Sequence, residues 1–159
     1  MQLSKHLSLA EMTRSESAKR LGINNMPTPE HIENIKKLAE KVFEPIREHF
    51  GVPIIITSGY RSQALNAAVG GAMSSQHSKG EAIDIDMDNT TITNKQIFDY
   101  IKDHLQFDQL IAEFPKNSSP EWIHVSYASS NKQRNQILVA KKVGGKTVYS
   151  SYKSDKDLA

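Results

Sequence analysis

The residues best suited to chemistry lie in two short stretches, SSQHSKGEAIDIDMD (74–88) and PEWIHVSY (120–127). In the first, Ala82-Ile83-Asp84-Ile85-Asp86-Met87 alternates as a strand does. Asp84 and Asp86 then share one face, with Ile83, Ile85 and Met87 on the other. In the second, Trp122, His124 and Ser126 share a face opposite Ile123, Val125 and Tyr127. If the two strands belong to one sheet, His124 meets one of the aspartates, and His77 can swing in from its Ser/Gly/Lys loop. Two imidazoles and a carboxylate are the donor set of an open zinc site with a fourth position for water. Zinc lowers the pKa of such a water to about 7, and a second carboxylate beside the metal can take its proton. Glu121 follows Pro120 in the loop ahead of the strand, where it is free to turn towards a metal.

Each of these residues alone has a plainer reading. A histidine in a polar loop is usually solvated, and an aspartate in a strand can protect a sheet edge. Spacing does not choose between Asp84 and Asp86. The D-x-D-x-D run also begins like a calcium loop, but its sixth position is Asn89 rather than Gly and its twelfth is Lys95 rather than Glu, which excludes an EF-hand. His6, His31, His49 and His104 lie in helical stretches or the N-terminal segment and read as structural.

The elements that must position these groups follow from capping and periodicity. Residues 1–27 read as a helical preamble, with a capping box from Ser8 to Glu11 and a second short helix ending at Gly22. Thr28, Pro29 and Glu30 open a long helix whose apolar stripe, Ile32 to Ile46, runs to about Phe50, with Pro45 as a kink. PIIITSG reads as a short buried strand and SQALNAAVGG as a short helix. TNKQIFDYIKDHL has helical spacing. QLIAEF, WIHVSY and QILVAKKV read as strands, and the last turns at Gly144-Gly145 into KTVYSSY. Helices come early and strands cluster late, which predicts an α+β fold, helices packed on a mainly antiparallel sheet. The 159 residues suit a single domain, with a core over 28–152 and a frayed tail at 153–159.

Bulk composition bounds the function. Apolar content of 38% and charged content of 24% are those of a globular protein. The net charge of +2 comes from scattered lysines with no basic tract, so a nucleic-acid partner is not expected. The absence of cysteine excludes disulfides and thiolate metal sites. No apolar stretch has the length of a membrane span or a signal peptide, so neither a membrane partner nor a leader is expected, and the protein is read as made in the cytoplasm.

Three ordered motifs, SGYRS (58–62), SQHSKGEAIDI (75–85) and EWIHVS (121–126), resemble the zinc D,D-carboxypeptidase family. That family includes the D-Ala-D-Ala dipeptidases of vancomycin resistance and the L-alanyl-D-glutamate endopeptidases of phages, and it shares its fold with the hedgehog signalling domain. The resemblance implies His77, Asp84 and His124 as ligands of one zinc ion, Glu121 as catalytic base and Arg61 as a substrate-facing cation. Some members carry a histidine in place of that glutamate, and none stands before His124 here. Tyr60, Ser75 and Gln109 are expected to contact substrate, with Glu113 in the cleft wall or supporting the site. The implied activity is hydrolysis of the stem peptide of bacterial peptidoglycan, at D-Ala-D-Ala or L-Ala-D-Glu. A monomeric lytic enzyme acting at the cell wall after release through a membrane pore fits this reading. The alternatives are a non-catalytic wall-peptide or protein binding module of the same fold, and a virion component.

Overall fold

Six strands form one mixed sheet, in the order β1-β2-β4-β3-β5-β6, in a computed structural model that describes residues 1–159. The strands are β1 (Ile56–Ser58), β2 (Ala82–Ile85), β3 (Gln109–Glu113), β4 (Trp122–Ser126), β5 (Gln136–Val143) and β6 (Lys146–Ser151). Every neighbouring pair is antiparallel except β3 and β5, which run parallel. The helices are α1 (Leu9–Thr13), α2 (Glu16–Leu21), α3 (Pro29–Leu38), α4 (Glu44–Phe50), α5 (Gln63–Ala68) and α6 (Asn94–His104). The architecture is the α+β class expected.

Alternation along the strands divides the sheet into two unlike faces. Ile83 and Ile85 of β2, Leu110 and Ala112 of β3, Ile123 and Val125 of β4 and Val139 of β5 are buried on one face. They share a single apolar cluster with Ile35 and Leu38 of α3, Ile46 of α4, and Ile97, Phe98 and Ile101 of α6. Burying one such side chain contributes about 1.5–3 kcal/mol, so this face anchors the sheet. The other face carries the site, with polar groups set among Ile111, Trp122 and Leu138.

The sequence suggested one helix over 28–50 with a kink at Pro45. The chain does stay helical, but Ala39–Phe43 forms a π-helical turn between α3 and α4. Pro45 has no N–H to donate, and its ring crowds the carbonyl of Lys41. Widening the preceding turn by one residue relieves both problems. β1 is a short edge strand, shorter than the buried run expected, with Ile55 exposed just ahead of it and Thr57 exposed within it.

Both chain ends correct the boundaries read from sequence. Leu3, Leu7 and Met12, in the segment taken as a preamble, belong to the central cluster. The tail expected to fray is docked: Asp155–Leu158 forms a short 3-10 turn, and Leu158 is fully buried. Its carbonyl accepts from the Ser118 amide, and Asp155 pairs with Lys95 and Tyr152. A lone leucine after five polar residues gives little periodic signal, so only its partners reveal its role. No helix is long and apolar enough to cross a membrane.

Candidate active site

β2 and β4 pair so that Asp84 lies directly across from His124. Directly opposed residues on one face have Cβ atoms about 5 Å apart, and here the His124 Nδ1 lies 3.1 Å from Asp84 Oδ1. His77 arrives from a 3-10 turn, Gln76–Lys79, capped by the Ser75 hydroxyl, which accepts from the His77 amide. The turn closes on Gly80, at φ 75°, where a Cβ would stand 2.6 Å from the His31 carbonyl oxygen; any side chain here would be strained and would clash. The buried His77 donates from Nδ1 to the Gly59 carbonyl at 2.7 Å. That bond turns Nε2 towards Asp84 Oδ1 at 3.3 Å and, in the neutral ring, leaves the Nε2 lone pair free for a metal.

The possible ligand atoms of His77, Asp84 and His124 all lie within 4.8 Å of one another. Ligands placed tetrahedrally at about 2.0–2.1 Å from zinc stand roughly 3.4 Å apart, close to the spacings of 3.3 and 3.1 Å from each ring nitrogen to Asp84 Oδ1. Donor type, spacing and ring orientation therefore fit a divalent metal. Burial pushes the Asp84 carboxyl up. The charges of His77 and His124 and their hydrogen bonds outweigh it and hold the group well below the usual carboxylate range. Asp86 lies past the end of β2, where its carboxylate accepts from the Asp88 amide and from Asn94 Nδ2. The two aspartates that spacing left equivalent are thus a site residue and a loop residue.

The cleft around this triad encloses about 890 Å³, within the range of small-molecule and peptide sites. Arg61, Ser75 and Gln109 line it. Arg61 follows β1, and its amide donates to the His77 carbonyl at 3.1 Å. Its Nε is buried without a hydrogen-bond partner. Burial lowers the guanidinium pKa and the charge of Asp84 opposes the fall. Tyr60 does not line the cleft. It is buried in the apolar cluster, and its hydroxyl meets His31 Nδ1 at 3.2 Å.

The placement of the two glutamates differs most from the sequence reading. Glu121 is exposed, does not line the cleft, and lies on the loop side of β4, with its amide donating to the Glu113 carbonyl. Glu113 faces the cleft: it pairs across from Trp122, which shares its face with His124, as Ile111 pairs across from His124 itself. Glu113 is 8% exposed, and no protein donor hydrogen-bonds its carboxylate. Burial raises its pKa to about 7; the nearby His124 pulls it down and the negative Asp84 pushes it up. The alternation Gln109-Ile111-Glu113 was the available signal, but reading it required knowing that β3 lies beside β4.

Sequence reasoning also missed the far wall. Arg134, Leu138, Thr147 and Tyr149 all line the cleft. Tyr149 sits across from Ala140, which pairs with Glu113, and burial together with the charges of Glu113 and Asp84 raises its phenol pKa.

No curated protein matches the chain. The family model described as Peptidase M15 matches residues 5–126, a stretch that holds the whole His-Asp-His triad. Since that match spans well over half of its length, the chain belongs to the peptidase M15 family of zinc-dependent metallopeptidases.

Proposed function

We propose that this protein hydrolyses peptide bonds in the stem peptide of bacterial peptidoglycan, with one zinc ion held by His77, Asp84 and His124, and that Glu113 rather than Glu121 is its general base. The observation that carries this reading is that His77, from its turn, joins Asp84 and His124, from one face of the sheet, to present three convergent ligand atoms beside an unpartnered carboxyl in the same cleft. Bound there, zinc supplies a Lewis acid for the carbonyl and lowers the pKa of water to about 7. Glu113 accepts the proton of the attacking water and then gives it to the departing amine. Its raised pKa of about 7 suits both halves of that transfer near neutral pH. Arg61 sets a fixed positive charge beside the triad for the oxygen that gains charge as the bond breaks. The Gly59 carbonyl holds His77 in its orientation, and Ser75 shapes the turn that carries it.

In this reading the protein acts at the bacterial cell wall as a lytic enzyme. The test is digestion of purified sacculi by the zinc-loaded protein, with a parallel digest containing a chelator, followed by mass spectrometry. New fragments whose masses name a D-Ala-D-Ala or L-Ala-D-Glu bond are expected only without chelator. Intact sacculi in both digests, or equal cleavage in both, would refute the proposal.

A further inference from the structure

Two arginines and no lysine line the cleft. Arg61 belongs to the β1 side. Arg134 stands just ahead of β5, on the far side of β3 from the triad, so the strand order puts the His-Asp-His group between the two. Neighbouring strands are about 4.8 Å apart, so β5 runs roughly 14 Å from β2.

Arg134 is held in one orientation. Its Nε donates to Asp108 Oδ1 at 2.9 Å, its Nη2 to Oδ2 at 2.7 Å, and its own amide to Oδ1 at 3.1 Å. Asp108 is 6% exposed, whereas the Arg134 side chain is 56% exposed. Gln76, the neighbour of the ligand His77, also donates to Asp108 Oδ2, at 3.1 Å. The buried carboxylate therefore ties the arginine to the turn that carries a ligand. A guanidinium has five N–H donors. Two serve Asp108, and three are left on a head group at the cleft wall. A bare ion pair on the surface contributes little; this one spends a buried acid and a bidentate fork to fix an arginine beside open space. The family match ends at Ser126, so Arg134 lies in the part of the cleft, with Leu138, Thr147 and Tyr149, that the match does not cover.

We propose that Arg134 forms a carboxylate-binding subsite, on the opposite side of the triad from Arg61, that selects peptides carrying a free acidic group over their amidated counterparts. A fixed, planar, weakly hydrated fork suits a carboxylate and gains little from a carboxamide. The choice of stem peptide as the acidic ligand rests on the function proposed above; the subsite itself rests on the Arg134–Asp108 geometry.

The test uses two synthetic stem peptides that differ only in γ-linked D-Glu against D-isoglutamine after L-Ala. Binding to the metal-free protein is read from the fluorescence of Trp122, the sole tryptophan, which lines the cleft. The D-Glu peptide is expected to bind at least tenfold more tightly, with the difference shrinking at high salt. Arg134→Gln should weaken the D-Glu peptide alone and bring the two within about twofold, and Arg134→Lys should keep part of the preference. Equal binding of both peptides by the parent overturns the proposal whatever the variants do, and so does an undiminished preference in a folded Arg134→Gln. With zinc restored, equal cleavage of both peptides also overturns it while leaving the proposed activity standing. A tenfold binding preference with no cleavage supports the subsite and refutes the proposed activity instead.

Discussion

Glu113→Gln should make the metal-free protein more stable while destroying its activity. The carboxyl is 8% exposed and titrates near 7 in the folded protein, against 4.5 for the free side chain. Between those two pH values the folded chain keeps a proton that the unfolded chain has released. Stability from this group is therefore complete below pH 4.5 and is lost as pH rises through 7. At 1.36 kcal/mol per pH unit, the burdened carboxylate costs about 3 kcal/mol at pH 8. Glutamine has the same shape and never ionises, so the substitution removes that cost. Groups away from the cleft titrate alike in parent and variant and cancel in the difference. For a chain of this size, 3 kcal/mol raises Tm by roughly 6–12 °C. Urea unfolding of both proteins in a chelator, at pH 4.5 and pH 8 and followed by Trp122 fluorescence, measures it. The two should nearly coincide at pH 4.5 and separate at pH 8. Removal of the base should lower kcat about 10²–10⁴-fold in the zinc-loaded enzyme. A variant less stable than the parent at pH 8, or a gap that does not depend on pH, would refute the burial argument for Glu113.

Glu121→Gln should leave kcat within about threefold of the parent in the same hydrolysis assay, because its side chain is exposed and outside the cleft; a loss comparable to that of Glu113→Gln would restore Glu121 as the base. Zinc at one hundred times its Kd should stabilise the parent by about 2.7 kcal/mol, seen as a higher Tm in thermal melts. Asp84→Asn should lose most of that gain, since Asp84 is the carboxylate shared by both ring nitrogens. Leu158→Ala should cost about 2–4 kcal/mol in urea unfolding, because it empties a fully buried site; a change below 0.5 kcal/mol would mean that the tail is not docked in solution.

Local regularities carried much of the molecule. Ser8 with Glu11, Thr28 with Pro29, and Thr93 before α6 mark helix starts through side chains that serve the first free amides, a matter settled within four residues. Alternation placed Asp84 with Asp86 and Trp122 with His124, because a strand turns successive side chains to opposite faces wherever it sits. His77, Asp84 and His124 could be named from residue type and motif order, and the fold brings those three together.

Only the tertiary structure decided what depends on neighbours far apart in the chain. Glu113 and Glu121 are both acids near a strand end. Glu113 faces the cleft because β3 lies beside β4 in a register that sets it across from Trp122, and Glu121 is left outside. Tyr60, expected at the substrate from its motif, is instead buried against His31 and does not line the cleft. Arg134 and Tyr149 reach the cleft only because β5 runs parallel to β3 and carries β6 with it. The physical reason is range: capping and alternation act over a few residues, whereas pairing and burial depend on which distant segment supplies the other half of the contact.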